Sequence, residues 1–476
     1  MPSLRVLAPA DLLDLDALRT ELGVVEPFSD AALAEAAAAA VAPWDGRADG
    51  GKPALDRTDL PMLTIDPPGS RDLDQALHLE RAEAGFRVWY AIADVAAFVT
   101  PGGALDGELA VRGVTLYAPD RRVPLHPPVL GEDAASLLPD VDRPALLWQL
   151  DLDARGELVG TAVRRALVRS RQRLDYAGVQ AALDAGTAGP VLELLREIGT
   201  LRQARARDRD AVDLATPDQE VTVDGRGRPS LELRAQLPCE GWNAQLSLLT
   251  GIAAAGLMLS ARVGLLRTLP PAEPQDVAAL RRSALALGIA WTEGTPYGDV
   301  VSGLDAGVPA HAALLTLATR LLRGAGYTAF DGEPPEQPQH SAVAAAYAHC
   351  TAPLRRLADR HVGEVCLAAS AGTEVPTWAS QALPGLPEVM AAATRRANAL
   401  ERAVVDVAEA VVLAPRVGER FPAVVVESGA SSGTVQLQDP PVRARCEGAD
   451  LPLGQTIAVV LVRADPASRE VRFRSV

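Results

Sequence analysis

Basic side chains other than arginine are nearly absent: Lys52 is the single lysine in 476 residues. Cysteine is also rare, with four copies, Cys239, Cys350, Cys366 and Cys446, at no paired spacing. That scatter argues against a zinc site and a disulfide framework and fits a reducing compartment, so a cytoplasmic location is expected. No basic-then-apolar leader opens the chain. Asp11, Asp14 and Asp16 stand there instead, and no signal peptide is expected. The most apolar run, residues 248–259, is too short to cross a bilayer; it reads as a buried helix, and no membrane partner is expected. Aromatic residues make up 4% of the chain, and no internal repeat is visible.

The rest is ordinary for a globular chain: 48% hydrophobic and 22% charged residues, over a length that implies two to four domains. The formal charge of −15 runs against nucleic-acid binding at first sight. Net charge governs solubility and non-specific attraction, however, while a cleft can still concentrate one sign. Arginine clusters locally at Arg164, Arg165, Arg169, Arg171 and Arg173, at Arg202, Arg205, Arg207 and Arg209, and in the pairs Arg355-Arg356 and Arg395-Arg396. These clusters permit phosphate binding without demonstrating it.

Residues 1–45 read as a small helical domain. Leu12, Leu13, Leu15 and Leu18 populate one helix, Gly23 stops it, and Ser29-Asp30 caps a second, Ala-rich helix. Two short helices and a turn fit a helix-turn-helix or winged-helix RNA-binding module, and equally a packing appendage. Residues 46–55, rich in Gly and Pro, read as a linker. Residues 56–413 mix strand signals (86–99, 113–117, 145–152) with helices at 177–185, 191–209, 243–259, 277–287, 310–322, 355–369 and 388–413. A hairpin over 220–234 turns at Asp224-Gly225. Residues 414–476 change texture to five short strands, 420–427, 434–438, 442–446, 456–463 and 470–474, the requirement of an OB-fold β-barrel. The fold class is therefore α+β and multidomain, with a mixed α/β central domain.

One stretch concentrates carboxylates. Between Thr64 and Ala76 stand Asp66, Asp72 and Asp74, around a turn forced by Pro67-Pro68-Gly69-Ser70. If residues 72–79 are extended, Asp72 and Asp74 face the same side, and Asp66 can join them. Carboxylates so close repel one another, and such clusters ordinarily hold a hard cation. An EF-hand loop is excluded, because Leu77 occupies the position where its sharp turn needs glycine. A solvated acidic turn is the plain alternative.

Taken in order, the motifs resemble the RNase II / RNase R family of exoribonucleases, whose catalytic unit is the RNB domain. Thr64-Ile65-Asp66 with Asp72-Leu73-Asp74-Gln75-Ala76 is similar to its Thr-Ile-Asp … Asp-x-Asp-Asp-Ala signature. Tyr90-Ala91-Ile92-Ala93-Asp94-Val95 follows, then Arg112-Gly113 through Tyr117-Ala118-Pro119 and Val123-Pro124-Leu125. Ser136-Leu137-Leu138-Pro139 and Tyr347-Ala348-His349-Cys350-Thr351-Ala352-Pro353-Leu354-Arg355-Arg356 complete the set.

The resemblance implies a processive 3′-to-5′ exoribonuclease that releases nucleoside 5′-monophosphates. Its cofactor would be Mg²⁺, two ions with substrate bound, with Mn²⁺ as a substitute. The partner would be the single-stranded 3′ end of an RNA, and the chain a monomer. Asp66, Asp72 and Asp74 would hold metal, with Asp74 the most critical, and Arg355 or Arg356 would reach the scissile phosphate. Tyr117 would stack on the terminal nucleotide, and Arg112 and Glu401 would contact substrate. His340, His349 and His361 read as structural or phosphate-adjacent.

The pattern also breaks. Gln75 stands where the family has a fourth aspartate; as a neutral oxygen ligand it would lower metal affinity. Asn243-Ala244-Gln245-Leu246 replaces an acidic helix start, Ala352 a serine and Cys350 a phenylalanine. These departures keep open a catalytically weak or inactive protein that only binds RNA. An unrelated Asp-x-Asp enzyme, such as a nucleotide-sugar transferase, would need a preceding βαβ nucleotide fold that residues 1–63 do not supply. The cold-shock barrels of familiar bacterial relatives are missing from the N-terminal region, where about forty-five mainly helical residues stand.

Overall fold

Leu77, Leu79, Val88, Tyr90, Ile92, Trp148 and Leu150 all need cover, and five strands close into a barrel to bury them. The computed structural model describes residues 4–6, 15–44, 46, 54–212, 218–223, 229–305, 308–437 and 439–476. Leu12, Leu13, most of the predicted linker and the Asp224-Gly225 turn lie outside them. The barrel comprises β1 (Leu55–Asp66), β2 (Gln75–Ala82), β3 (Gly85–Ala93), β4 (Asp142–Asp153) and β5 (Leu158–Asp175). Neighbours are antiparallel, except that β5 closes the barrel parallel to β1. The apolar stretch 86–99 is strand only as far as Ala93, just before Asp94, and Val95–Ala97 is a 3-10 turn.

The described N-terminal helices pack directly on the central part of the chain. Helix α1 (Asp16–Glu21) puts Leu15 and Leu18 into one cluster with Leu116, Val123, Leu400 and Val404. Its Arg19, buried, is paired with Asp120 of the loop between the short strands Leu116–Tyr117 and Arg122–Val123. Helix α2 (Asp30–Val41), capped as predicted by Ser29, whose hydroxyl accepts from the Ala32 amide at 3.2 Å, packs on α3 (Ala104–Arg112). An added strand, Leu4–Val6, lies parallel to Asp218–Val223.

Helix α4 (Pro238–Ala261) is longer than the apolar run alone indicated, because Pro238 opens it and Glu240 accepts from the Leu237 amide at 2.6 Å. Among the described residues it is the one helix long and apolar enough to cross a membrane; here Leu246, Leu249, Ala254 and Met258 bury it in the core. Gly251 lets it touch the next functional segment: an added Cβ would come within 2.1 Å of the Tyr347 ring, and the Ala348 amide donates to its carbonyl at 3.1 Å. Helix α5 (Leu357–Ala371) is tied to the barrel by Arg165 of β5, which bridges Asp94 and Glu364. Helix α6 (Leu386–Leu413) leads to the predicted second barrel. Its strands are β6 (Arg420–Ser428), β7 (Ser432–Leu437), β8 (Arg443–Glu447), β9 (Thr456–Asp465) and β10 (Glu470–Ser475), in closed order β6-β7-β8-β10-β9.

Candidate active site

Two turns meet at the site, one from β1–β2 and one from the residues before α5. The first is irregular: β2 begins only at Gln75, so Asp72 and Asp74 lie in a loop, and the predicted strand alternation does not orient them. Ser136 pins that loop, its hydroxyl accepting from the Leu73 amide at 2.9 Å and donating to the Arg71 carbonyl at 2.6 Å. The second turn is held by Asp359, which accepts from the Ala352 amide at 2.7 Å and from Arg356 at 2.9–3.3 Å. His126 adds a contact of 3.0 Å to the Leu354 carbonyl.

Asp74 is where the turns join. One carboxylate oxygen accepts from the Leu354 amide at 2.7 Å and the other from Arg355 Nε at 3.3 Å. Burial pushes its pKa up to about 7, against the lowering influence of Arg355 and the Leu354 amide. Asp66 is likewise pushed up to about 7, by burial first and by the charge of Asp72 second. Its Oδ2 is buried without a hydrogen-bond partner. Asp72 pairs with Arg122, which also reaches Glu132 at 2.7 Å.

Tyr117 stands opposite Arg122 in the short hairpin, and the Thr115 amide donates to the Arg355 carbonyl at 3.0 Å. Tyr117 as a whole is 53% exposed, while burial of its hydroxyl end, ahead of the charges of Arg355, Asp72 and Asp74, raises its pKa above the ordinary tyrosine range. The two arginines divide roles. The Arg355 side chain is 45% exposed beside Asp74, whereas Arg356 is clamped on Asp359.

Other expected site residues go elsewhere. Gln75 has its amide committed: Nε2 donates to the Thr351 carbonyl at 2.7 Å, and Oε1 accepts from the Tyr90 hydroxyl and, at 3.2 Å, from Ser247. It stitches β2 to the second turn and to α4, with both its oxygen and its nitrogen engaged. Arg112 is buried, with its guanidinium 3.6 Å from the Phe28 ring centre and Nη1 donating to the Pro124 carbonyl at 3.3 Å. It holds the N-terminal segment and does not face the aspartates. Glu401 is half-buried on α6, next to Leu400, which packs on the Tyr117 hairpin. His349 pairs with the Tyr327 hydroxyl at 2.7 Å, His361 contacts the Leu357 carbonyl at 3.3 Å, and His340 packs edge-on against Tyr347.

Among the described residues, no three His, Cys, Asp or Glu side chains converge as a ready metal cage. The donor chemistry nonetheless fits a hard divalent cation: three carboxylates, one with an orphaned buried oxygen, and two whose ionised form burial disfavours until a cation is there to balance it. Asp72 and Asp74 would exchange guanidinium partners to complete such a site. Sequence reasoning missed Arg122, His126 and Asp359. Their signal was present in the Arg122-Val123 strand facing Tyr117, and in Asp359 placed three residues after Arg356 at a helix start.

The RNB domain pattern matches residues 55–369, and that of the RNase II-type exonuclease C-terminal S1 domain matches residues 419–476. Exosome complex exonuclease RRP44 homolog A of Arabidopsis thaliana is 33% identical over 340 residues, covering 68% of this chain and 36% of that protein. Ribonuclease R of Escherichia coli is 29% identical over 318 residues, covering 64% of this chain and 39% of that protein. The chain thus spans little more than a third of the length of these relatives. Mycoplasma genitalium RNase R, solved with ribose methylated single-stranded RNA, shares the fold at a TM-score of 0.85 and 18% identity, covering 97% of this chain and 77% of that one. Yeast Ssd1, a pseudonuclease, shares it at 0.65 and 17% identity, covering 86% and 53%.

Proposed function

Since this chain belongs to the RNB-domain family, we propose that it is a processive, Mg²⁺-dependent 3′-to-5′ exoribonuclease that hydrolyses single-stranded RNA to nucleoside 5′-monophosphates. The observation that carries this reading is the junction at Asp74, where a buried carboxylate, a backbone amide and an accessible guanidinium meet beside Tyr117. Asp66, Asp72 and Asp74 would hold the cation, which when bound supplies charge neutralisation and an acidified water for phosphodiester hydrolysis.

The chain's own groups do the rest. Arg355 presents a planar fork beside the carboxylates, suited to two oxygens of the scissile phosphate. Asp359 keeps Arg356 and the turn fixed, so Arg355 does not have to be ordered at the moment of reaction. The exposed Tyr117 ring offers a stacking face for the terminal base, a contact that tolerates any sequence. The C-terminal barrel supports RNA binding as the second contact surface.

A non-hydrolytic RNA-binding reading is favoured by one observation, the committed Gln75 amide where the family has a carboxylate. Incubating the purified chain and its Asp74→Asn variant with single-stranded RNA and Mg²⁺ separates the two. Mononucleotide release by the native chain, and its loss in the variant, is expected. Binding without release from the native chain would establish the non-hydrolytic reading.

A further inference from the structure

Beside the Asp66–Asp72 loop lies an open groove of about 800 Å³ lined by Arg71, Arg143, Arg171 and Arg173, with Asp133 and Asp140 as its acidic residues. A bulge shapes it. Ser170 is registered with Met62 and Gln172 with the adjacent Leu63, so Arg171 is the extra residue of β5 and the in-out alternation is lost. Arg171, Gln172 and Arg173 are consequently all exposed. Arg171 donates to the Thr58 carbonyl at 2.7 Å and Arg173 to the Ser70 carbonyl at 3.2 Å, partners that orient the guanidiniums without neutralising them. Arg143 is paired with Asp133 at 3.0 Å and Arg71 with Glu132 at 3.8 Å, so Arg171 and Arg173 carry the groove's uncompensated charge. In a chain of net charge −15 this is a local reversal of sign. It adjoins the carboxylate loop, because Arg71 directly precedes Asp72 and Arg173 donates to the Ser70 carbonyl of that loop.

We propose that this bulge-built groove binds the phosphodiester backbone of single-stranded RNA outside the catalytic cleft, so that the chain carries its own RNA track on the RNB barrel. The inference rests on RNA being the partner, not on hydrolysis. Charge complementarity selects the occupant: guanidiniums held by backbone carbonyls keep donors free for phosphate oxygens.

The test is equilibrium binding of a labelled single-stranded RNA oligonucleotide to the full chain without divalent metal, over a series of salt concentrations. The chains compared are the parent, Arg171→Ala/Arg173→Ala and Arg171→Lys/Arg173→Lys. For two lost phosphate contacts, the slope of log K against log salt should fall in magnitude by about 1.4 in the alanine variant. The lysine variant should keep most of it. Equal slopes and affinities for the parent and the alanine variant overturn the proposal, as does a lysine variant that loses as much as alanine, since the effect would then be structural. If the alanine variant loses affinity for a nucleoside 5′-monophosphate but not for the oligonucleotide, the groove is a product site and the backbone assignment fails. A parent chain that binds no RNA removes the partner itself, a result distinct from equal binding by parent and variant.

Discussion

Asp66 and Asp74 keep their protons up to about pH 7 in the metal-free fold, mainly because burial disfavours the carboxylate. An unfolded aspartate releases its proton near pH 4, so between about pH 4 and pH 7 the folded chain holds more protons than the unfolded one. Stability from these two groups is therefore complete below the unfolded pKa and is lost as pH rises through the folded value. A cation reverses that penalty. Thermal unfolding should show Mg²⁺ raising the midpoint more at pH 8 than at pH 5, and calorimetry in buffers of different ionisation enthalpy should show proton release on binding at pH 6. An equal shift at both pH values would place the cation away from Asp66 and Asp74. Gln75 supplies the complementary residue-scale prediction. Its oxygen is engaged by Tyr90 and Ser247 and its nitrogen by Thr351. Gln75→Ala should therefore cost about 1–3 kcal/mol of stability while Mg²⁺ affinity stays within about twofold. A tenfold loss of affinity would restore Gln75 as a ligand.

The turn before α5 shows what elements add to residues. Leu354 and Arg355 reach Asp74 only because Asp359 holds the Ala352 amide and the Arg356 guanidinium behind them. Asp359→Ala leaves Arg356, with a side chain 21% exposed, without its partner. The expected cost is about 3 kcal/mol, the lower end for unpairing a buried ion pair, read from the urea midpoint. RNA hydrolysis should fall further than the lost stability explains. This arrangement was partly legible: Arg355-Arg356 before a helix start was visible, and so were the strands of the second barrel, which are short, alternating and separated by glycine. The first barrel was not, because its closure joins β1 to β5 across about a hundred residues and no local pattern encodes that pairing. The orientation of the aspartates was also hidden. Period-two reasoning applied to residues 72–79, but Ser136, sixty-three residues from Leu73, keeps the first three out of the strand. Arg112 was read from its motif neighbours as a substrate contact, and the aromatic ring that covers it comes from Phe28, far away in sequence.

At the scale of the whole molecule, the N-terminal segment behaves as a brace. Leu15 and Leu18 complete a cluster with Leu116 and Val123 from the Tyr117 hairpin and with Leu400 and Val404 from α6. Arg19 pairs with Asp120 and Arg121 with Asp16 and Glu26, so the hairpin loop is held by charge as well as by apolar cover. A detachable RNA-binding module would leave the rest of the chain intact when removed; a brace would not. A chain beginning at Ala54 loses the burial supplied by Leu15 and Leu18, on the order of 3–6 kcal/mol at about 1.5–3 kcal/mol per leucine. It also uncovers Leu116 and Leu400 and strips Phe28 from Arg112. The truncated chain should unfold at lower temperature and urea concentration than full length, with the Tyr117 hairpin the first region to gain amide exchange. Binding of single-stranded RNA under conditions where both chains are folded should weaken no more than the loosened hairpin implies. Full retention of stability together with loss of RNA binding would instead identify residues 16–41 as an RNA-contacting module.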